Sequence, residues 1–192
     1  MRVSVPFHPC DAEDCHVTLY LYEITPDATD AAAVGQLLKT LDAEIAGGGG
    51  ELIEAQVTAQ RRTIFAIAEF TQDAAALDAT QLAAGAVSGP HQVRLVGADL
   101  SVLKAARPQA GYLVEWDLPA DLDMESYLAR KKANAPKYAD VPEVQFLRTY
   151  VREDMDKCLC FYDAPDEAAV RRARDAVSTP IDRLHGLDGP LP

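Results

Sequence analysis

The sequence lacks most of the short signatures that would announce a reaction. It has no glycine-rich phosphate loop: the run Gly47-Gly48-Gly49-Gly50 follows an amphipathic stretch and lacks the Lys-Ser/Thr that would complete one. It has no Gly-x-Ser-x-Gly elbow to present a serine nucleophile, and no dinucleotide fingerprint. No run of about 18 apolar residues exists, which excludes a conventional membrane-spanning helix. The first six residues, Met1-Arg2-Val3-Ser4-Val5-Pro6, contain no apolar signal core, so a cytoplasmic protein is expected. Positive charge is scarce as well. The formal net charge is -12 at pH 7, and a nucleic-acid partner would need a basic footprint to neutralise phosphates. The local clusters Arg130-Lys131-Lys132 and Arg171-Arg172 with Arg174 fall in expected helices with acidic neighbours and read as solvated faces.

What remains is ordinary globular composition, 48% apolar and 25% charged over 192 residues, enough for one large domain or two small ones. The apolar pattern gives a β run over residues 16–24, then a helix over 30–45 with Val34, Leu37, Leu38, Leu41 and Ile45 on one face. Thr29 or Asp30 can cap it, and the glycine run ends it. Strands are expected over 51–58 and 63–70, an Ala-rich helix over 73–84, and a last strand over 91–96 opened by Gly89-Pro90. The order then repeats. A strand over 112–118 precedes a helix over 124–135 that Asp123 caps and Pro136 stops. Strands follow over 144–151 and 157–162, then a helix capped by Asp166, then a strand over 181–185 after Thr179-Pro180. Two βαββαβ series are the split-βαβ, ferredoxin-like unit twice over. The expected fold is therefore α+β: tandem ferredoxin-like modules over 1–97 and 111–192, linked by 98–110. An open apolar sheet face seeks a partner, so the two modules should bury theirs against each other as a pseudo-dimeric α/β barrel.

The second half also resembles a family. Residues 112–119 (YLVEWDLP), Arg148-Thr149-Tyr150, the acidic turn at 153–156, Cys160, Asp163-Ala164-Pro165-Asp166-Glu167-Ala168 and Pro180-Ile181-Asp182-Arg183-Leu184 are similar to the recurring pattern of the small nickel-binding ferredoxin-like family, long catalogued as a domain of unknown function. That resemblance implies a ferredoxin-like fold, a barrel-like dimer and divalent-metal binding. It supplies no ligand set, because the second half holds one histidine, His185. The first half matches in layout alone.

Three groups of residues could carry chemistry. In the lead-in, His8, Cys10, Cys15 and His16 stand among Asp11, Glu13 and Asp14. Imidazole and thiolate suit nickel or zinc, although the spacing H-x-C-x4-C-H is no standard zinc module, and the cysteines read equally as small apolar fillers. Cys158, Cys160 and Tyr162 alternate onto one face of a strand. Such cysteines are either buried apolar residues or a thiol pair facing the barrel interior; two apart on a strand, they are poor partners for an ordinary disulfide. Glu115 shares a face with Leu113 and Asp117, and Arg148 shares one with Tyr150. Carboxylate, guanidinium and phenol together with His185 could line a polar cavity and orient an acidic or phenolic substrate; otherwise they are edge salt bridges. His91 and His185 fall in the two last strands.

Three functions follow. The protein is expected to bind a divalent metal, nickel or zinc, or a small molecule. The alternative is an enzyme of the dimeric α/β barrel kind (oxygenase, isomerase or cyclase) using Glu115, Arg148, Tyr150 and His185. The third is a structural or interaction module. A homodimer is an expected partner; nucleic acid and membrane are not.

Overall fold

Strand β1 (Thr18–Pro26) buries Leu19, Leu21, Tyr22 and Ile24, an apolar ribbon with both faces covered. In this computed structural model, which describes residues 17–74, 76–106 and 109–189, it lies at the centre of the first half. Helix α1 (Ala31–Gly47) starts where the Asp30 carboxylate accepts the Ala33 N–H at 2.9 Å. It turns Val34, Leu37, Leu41 and Ile45 onto the sheet, the stripe that its 3.6-residue period dictates. Strands β2 (Gly50–Val57), β3 (Ile64–Phe70) and β4 (Ala84–Val96) complete that half. Helix α2 (Leu100–Ala106) lies within the stretch read as linker. The second half comprises β5 (Tyr112–Asp117), α3 (Met124–Asn134), a 3-10 turn (Ala135–Asp140), β6 (Gln145–Arg152), β7 (Lys157–Asp163), α4 (Glu167–Ala176) and β8 (Arg183–Gly186).

All strand pairs are antiparallel, and the order across the sheet is β2-β3-β1-β4-β6-β7-β5-β8. Each half thus sets its strands in the same sequence, and β4 joins β6 to make one ladder. The outer faces carry α1 in the first half and α3 and α4 in the second. The inner faces share a third core of Leu19, Leu21, Ile53, Phe65, Ile67, Val93, Leu113, Tyr150, Leu159 and Phe161. At about 25 cal/mol per Å2 of apolar surface, a core contributed by both halves binds them into one body. Among the described residues no helix is long and apolar enough to cross a membrane.

Three expectations change. The sheet does not close into a barrel. Edge strands β2 and β8 meet only at their ends, through the bridge Thr58↔Leu187 and the bonds Ala59 N–H to Gly186 C=O and Asp188 N–H to Val57 C=O, each 2.8 Å. A four-residue β8 is too short to pair along β2. The Ala-rich stretch 73–84 forms no helix. Its large apolar residues, Leu77 and Leu82, are five apart and make no stripe, and Asp78 accepts the Thr80 N–H at 2.7 Å, closing a turn instead. Gly89-Pro90 does not open the last strand: β4 runs through it, and the pairing with β1 shifts register there.

Candidate functional site

Two polar assemblies occupy the inner and outer faces of the second half's sheet. On the inner face, β2 carries a bulge: Leu52 pairs with Ala68 and Glu54 with Ile67, so Ile53 is extra. The bulge leaves both Ile53 and Glu54 facing inward. Arg148, only 1% exposed, makes two charge-assisted bonds to the Glu54 carboxylate, its Nε at 2.8 Å, and lies 4.6 Å over the Phe161 ring. The Tyr150 hydroxyl donates to the same carboxylate, and burial followed by that neighbouring charge holds the phenol well above its usual range. Glu115 anchors a second network. Its carboxylate meets His185 Nε2 at 2.7 Å, Arg183 Nε at 2.9 Å and Lys157 Nζ at 3.1 Å, while Lys157 reaches Glu23 of β1 at 3.0 Å. Burial alone would raise the Glu115 pKa, but the bonds from His185, Arg183 and Lys157 outweigh it and pull the pKa down to about 2.

The four predicted interior residues therefore all point inward but divide. Glu115 and His185 bond to each other, whereas Arg148 and Tyr150 converge on Glu54, a residue that the sequence did not single out. A carboxylate inside a β run was its one signal, and only the bulge gives it that direction. His91 lies on β4 and bonds the Ser88 hydroxyl at 2.8 Å. His8, Cys10, Cys15 and His16 lie outside the described residues. Among those described, no group of three or more His, Cys, Asp or Glu is placed to hold a metal, so the donor set on view does not fit a nickel site.

The outer face is different. Cys158 and Cys160 do not face the interior; with Tyr162 they point to the helix-covered side, in the core with Val114, Trp116, Tyr127, Ala169 and Val170. The parity of β7 requires this, since Leu159 and Phe161 fill the inner core. Above them, α3 begins where Asp123 accepts the Ser126 N–H at 2.7 Å, and α4 where Asp166 accepts the Ala169 N–H at 2.7 Å. These starts fix three cations over the strand. Lys131 bonds the Thr149 hydroxyl at 2.7 Å and lies 4.3 Å over the Phe146 ring. Arg130 lies 5.3 Å over Trp116. Arg174, 2% exposed, donates from Nη1 to Cys160 Sγ at 3.4 Å and to the Tyr162 hydroxyl at 3.3 Å, and from Nη2 to the Pro180 carbonyl. Its Nε is buried with no hydrogen-bond partner.

These groups surround a recess of about 30 Å3 lined by Trp116, Tyr127, Lys131, Tyr138, Cys160 and Arg174, with Arg130 at its wall. Cys160 Sγ also accepts from Thr149 Oγ1 at 3.2 Å and lies 3.9 Å from Cys158 Sγ. The bond from Cys158, then the charges of Lys131 and Arg174 and the Thr149 hydroxyl, overcome burial and hold Cys160 well below an ordinary thiol. Cys158, giving that bond and buried itself, is pushed up. Burial likewise raises Tyr162, Tyr127 and Tyr138, the last to about 12, so the phenols around the recess stay neutral. Arg174 was read as part of a solvated basic cluster, yet its i−4 partner in the helix, Val170, is apolar and buried. That spacing was the available signal that residue 174 faces the sheet.

No curated protein matches the chain. Among solved structures, a candidate monooxygenase from Lactobacillus acidophilus NCFM is similar at a TM-score of 0.50 and 12% identity, covering 90% of this chain and 93% of that one. A candidate chlorite dismutase is similar at 0.49 and 13%, covering 90% and 95%. At 12% identity the first of these speaks for the α+β fold alone. The second half has a sequence relationship of its own: residues 112–186, from β5 to β8, match the family described as nickel responsive protein SCO4226-like.

Proposed function

We propose that the protein binds a small ligand with an anionic or strongly accepting head in the recess beneath α3 and α4. The observation that carries this reading is Arg174, a buried guanidinium whose Nε has no partner, lining a recess that Lys131 and Arg130 also line. A buried donor left unpaired costs about 1–3 kcal/mol, more when charged, and an acceptor in the recess would recover that. Three cations and no carboxylate line the recess, a surplus of positive charge for an anion to meet. The volume limits the choice. A water needs about 10–15 Å3 by this measure, so about 30 Å3 admits a head of two or three heavy atoms.

The chain has one tryptophan, and Trp116 lines the recess, which supplies the readout. Titration with formate, nitrite and phosphate should change its emission saturably for the small planar anions, and Lys131→Met should weaken the response. A response linear in salt, identical for all three anions and unaffected by Lys131→Met, would remove the reading.

Divalent-metal binding is the second reading. It rests on the family match of residues 112–186 and on His8, Cys10, Cys15 and His16, which precede the described residues. Elemental analysis of untagged protein, with and without the four ligands changed to Ser or Ala, tests it; no nickel or zinc after dialysis against either would end it. The enzyme reading built on Glu115, Arg148, Tyr150 and His185 has weaker support, because each of the four is already engaged by other protein groups.

A further inference from the structure

We infer that Cys160 is a peroxide-reactive thiolate and that hydrogen peroxide is a substrate of the recess, a proposal that rests on the recess admitting small molecules. Cys160 lines the recess, whereas Cys158, on the same strand face, is not among its lining groups. Cys160 Sγ accepts from two neighbours, Arg174 Nη1 and Thr149 Oγ1, and lies 3.9 Å from the Cys158 thiol. An apolar filler cysteine has no need of such partners. Cys160 is 1% exposed, so only a reactant small enough for the recess reaches it, and a thiol accepting from cationic and hydroxyl donors is the environment in which cysteine becomes reactive. Two oxygen atoms fit the recess, and the unpartnered Arg174 Nε is a donor for the oxygen on which negative charge develops.

The step balances with peroxide as the oxidant. The Cys160 thiolate attacks one peroxide oxygen, an S–O bond forms and the O–O bond breaks. Sulfur loses two electrons, and the departing oxygen gains them and leaves as hydroxide, which takes a proton from water at the recess mouth. The product is the Cys160 sulfenic acid, whose oxygen and sulfur keep Arg174 and Thr149 as partners. Cys158 acts as a positioning residue that donates to the thiolate.

The test uses the full chain carrying Cys10→Ser and Cys15→Ser. It is exposed to limiting hydrogen peroxide, unfolded into a 1,3-dicarbonyl trap, and the adduct located by fragment mass spectrometry. The adduct is expected on Cys160 and not Cys158. Between pH 8 and pH 6 the rate should fall clearly less than the roughly 80-fold by which an ordinary thiol of pKa about 8.5 loses its thiolate. The groups facing Cys160 are Cys158, Lys131, Arg174, Tyr127, Tyr138 and Tyr162; burial holds the three phenols protonated across that window. Thr149→Val, which keeps the shape and removes one donor, should make the profile steeper, whereas Cys158→Ser, which keeps a donor, should retain the adduct. An adduct on Cys158, or a profile as steep as a free thiol's, overturns the inference. The Trp116 anion titration on the same protein separates the two ideas. Saturable anion binding without an adduct overturns the reactive cysteine and leaves the anion reading standing, and an adduct without anion binding removes the anion reading and leaves the recess as the entry for peroxide.

Discussion

Replacing Glu54 with Gln should cost the protein about 3 kcal/mol, the lower end of the range for breaking a buried ion pair. Arg148 is 1% exposed and meets no other carboxylate in its network. Glu54→Gln keeps the shape and one acceptor oxygen but removes the counter-charge, so a guanidinium is left in the shared inner core. The residual oxygen and the partly exposed position of Glu54, 12% by side chain, argue for the low end. In a chain of this length about 3 kcal/mol corresponds to a melting temperature lower by roughly 6–12 °C. Arg148→Met should cost less, because the carboxylate it strands is nearer solvent and keeps the Tyr150 hydroxyl. The triple change Glu54→Leu, Arg148→Met and Tyr150→Phe removes both charges and the phenol together. Since well-packed apolar substitutes for a buried pair are often neutral or stabilising, it should lie within about 1 kcal/mol of the parent. Urea unfolding followed by far-ultraviolet circular dichroism measures all three. If Glu54→Gln costs under about 1 kcal/mol, or if the triple variant is as unstable as the single, the pair is not electrostatically isolated and this reasoning is wrong.

Two further outcomes follow from the described geometry. Glu115, with a folded pKa of about 2 against 4.5, binds its proton more readily in the unfolded chain. Its contribution of about 3 kcal/mol is therefore complete above pH 4.5 and lost as pH falls toward 2, about 2 kcal/mol of it by pH 3; urea midpoints at pH 6 and pH 3 should converge for Glu115→Gln relative to the parent, and parallel slopes would refute it. Asp166→Ala should cost about 1 kcal/mol by removing the cap of α4 and should weaken the Trp116 anion response through Arg174, while Asp166→Asn should leave both nearly unchanged.

The elements with strong periodicity were legible. α1, β1, β5, β7 and α4 fall where spacing, caps and alternation place them, because each has a continuous apolar stripe to bury. The stretch 73–84 misled because alanine favours helix in isolation, whereas two leucines five apart cannot anchor one. The interior ion pairs were half legible. Alternation put Glu115, Arg148 and Tyr150 on inward faces, but their partners come from elsewhere in the chain: Glu54 stands 94 residues before Arg148 and is turned inward by a bulge no local pattern announces. The recess was less legible still. Its walls come from α3, β7 and α4, and a sequence places residues on faces without saying which faces meet.

The two sides of the second half's sheet argue for different roles. On the inner side each carboxylate has its cations and each cation its carboxylate, across Glu54–Arg148 and Glu23–Lys157–Glu115. Pairs that span the two halves fix their register, the role for which buried polar groups are best attested; Arg148 Nη1 is left without a hydrogen-bond partner there, but its charge is met by Glu54. On the outer side the balance is uneven. Arg130, Lys131 and Arg174 line the recess with no carboxylate among its lining residues, and Arg174 Nε is buried without a partner. A fold tolerates such an imbalance where something else restores it or where the imbalance itself holds a group reactive. Both alternatives place the chemistry in the recess, on the face of β7 that the halves do not share. The inner face is then the joint that holds the halves together, and the recess under α3 and α4 is where a ligand or an oxidant would act.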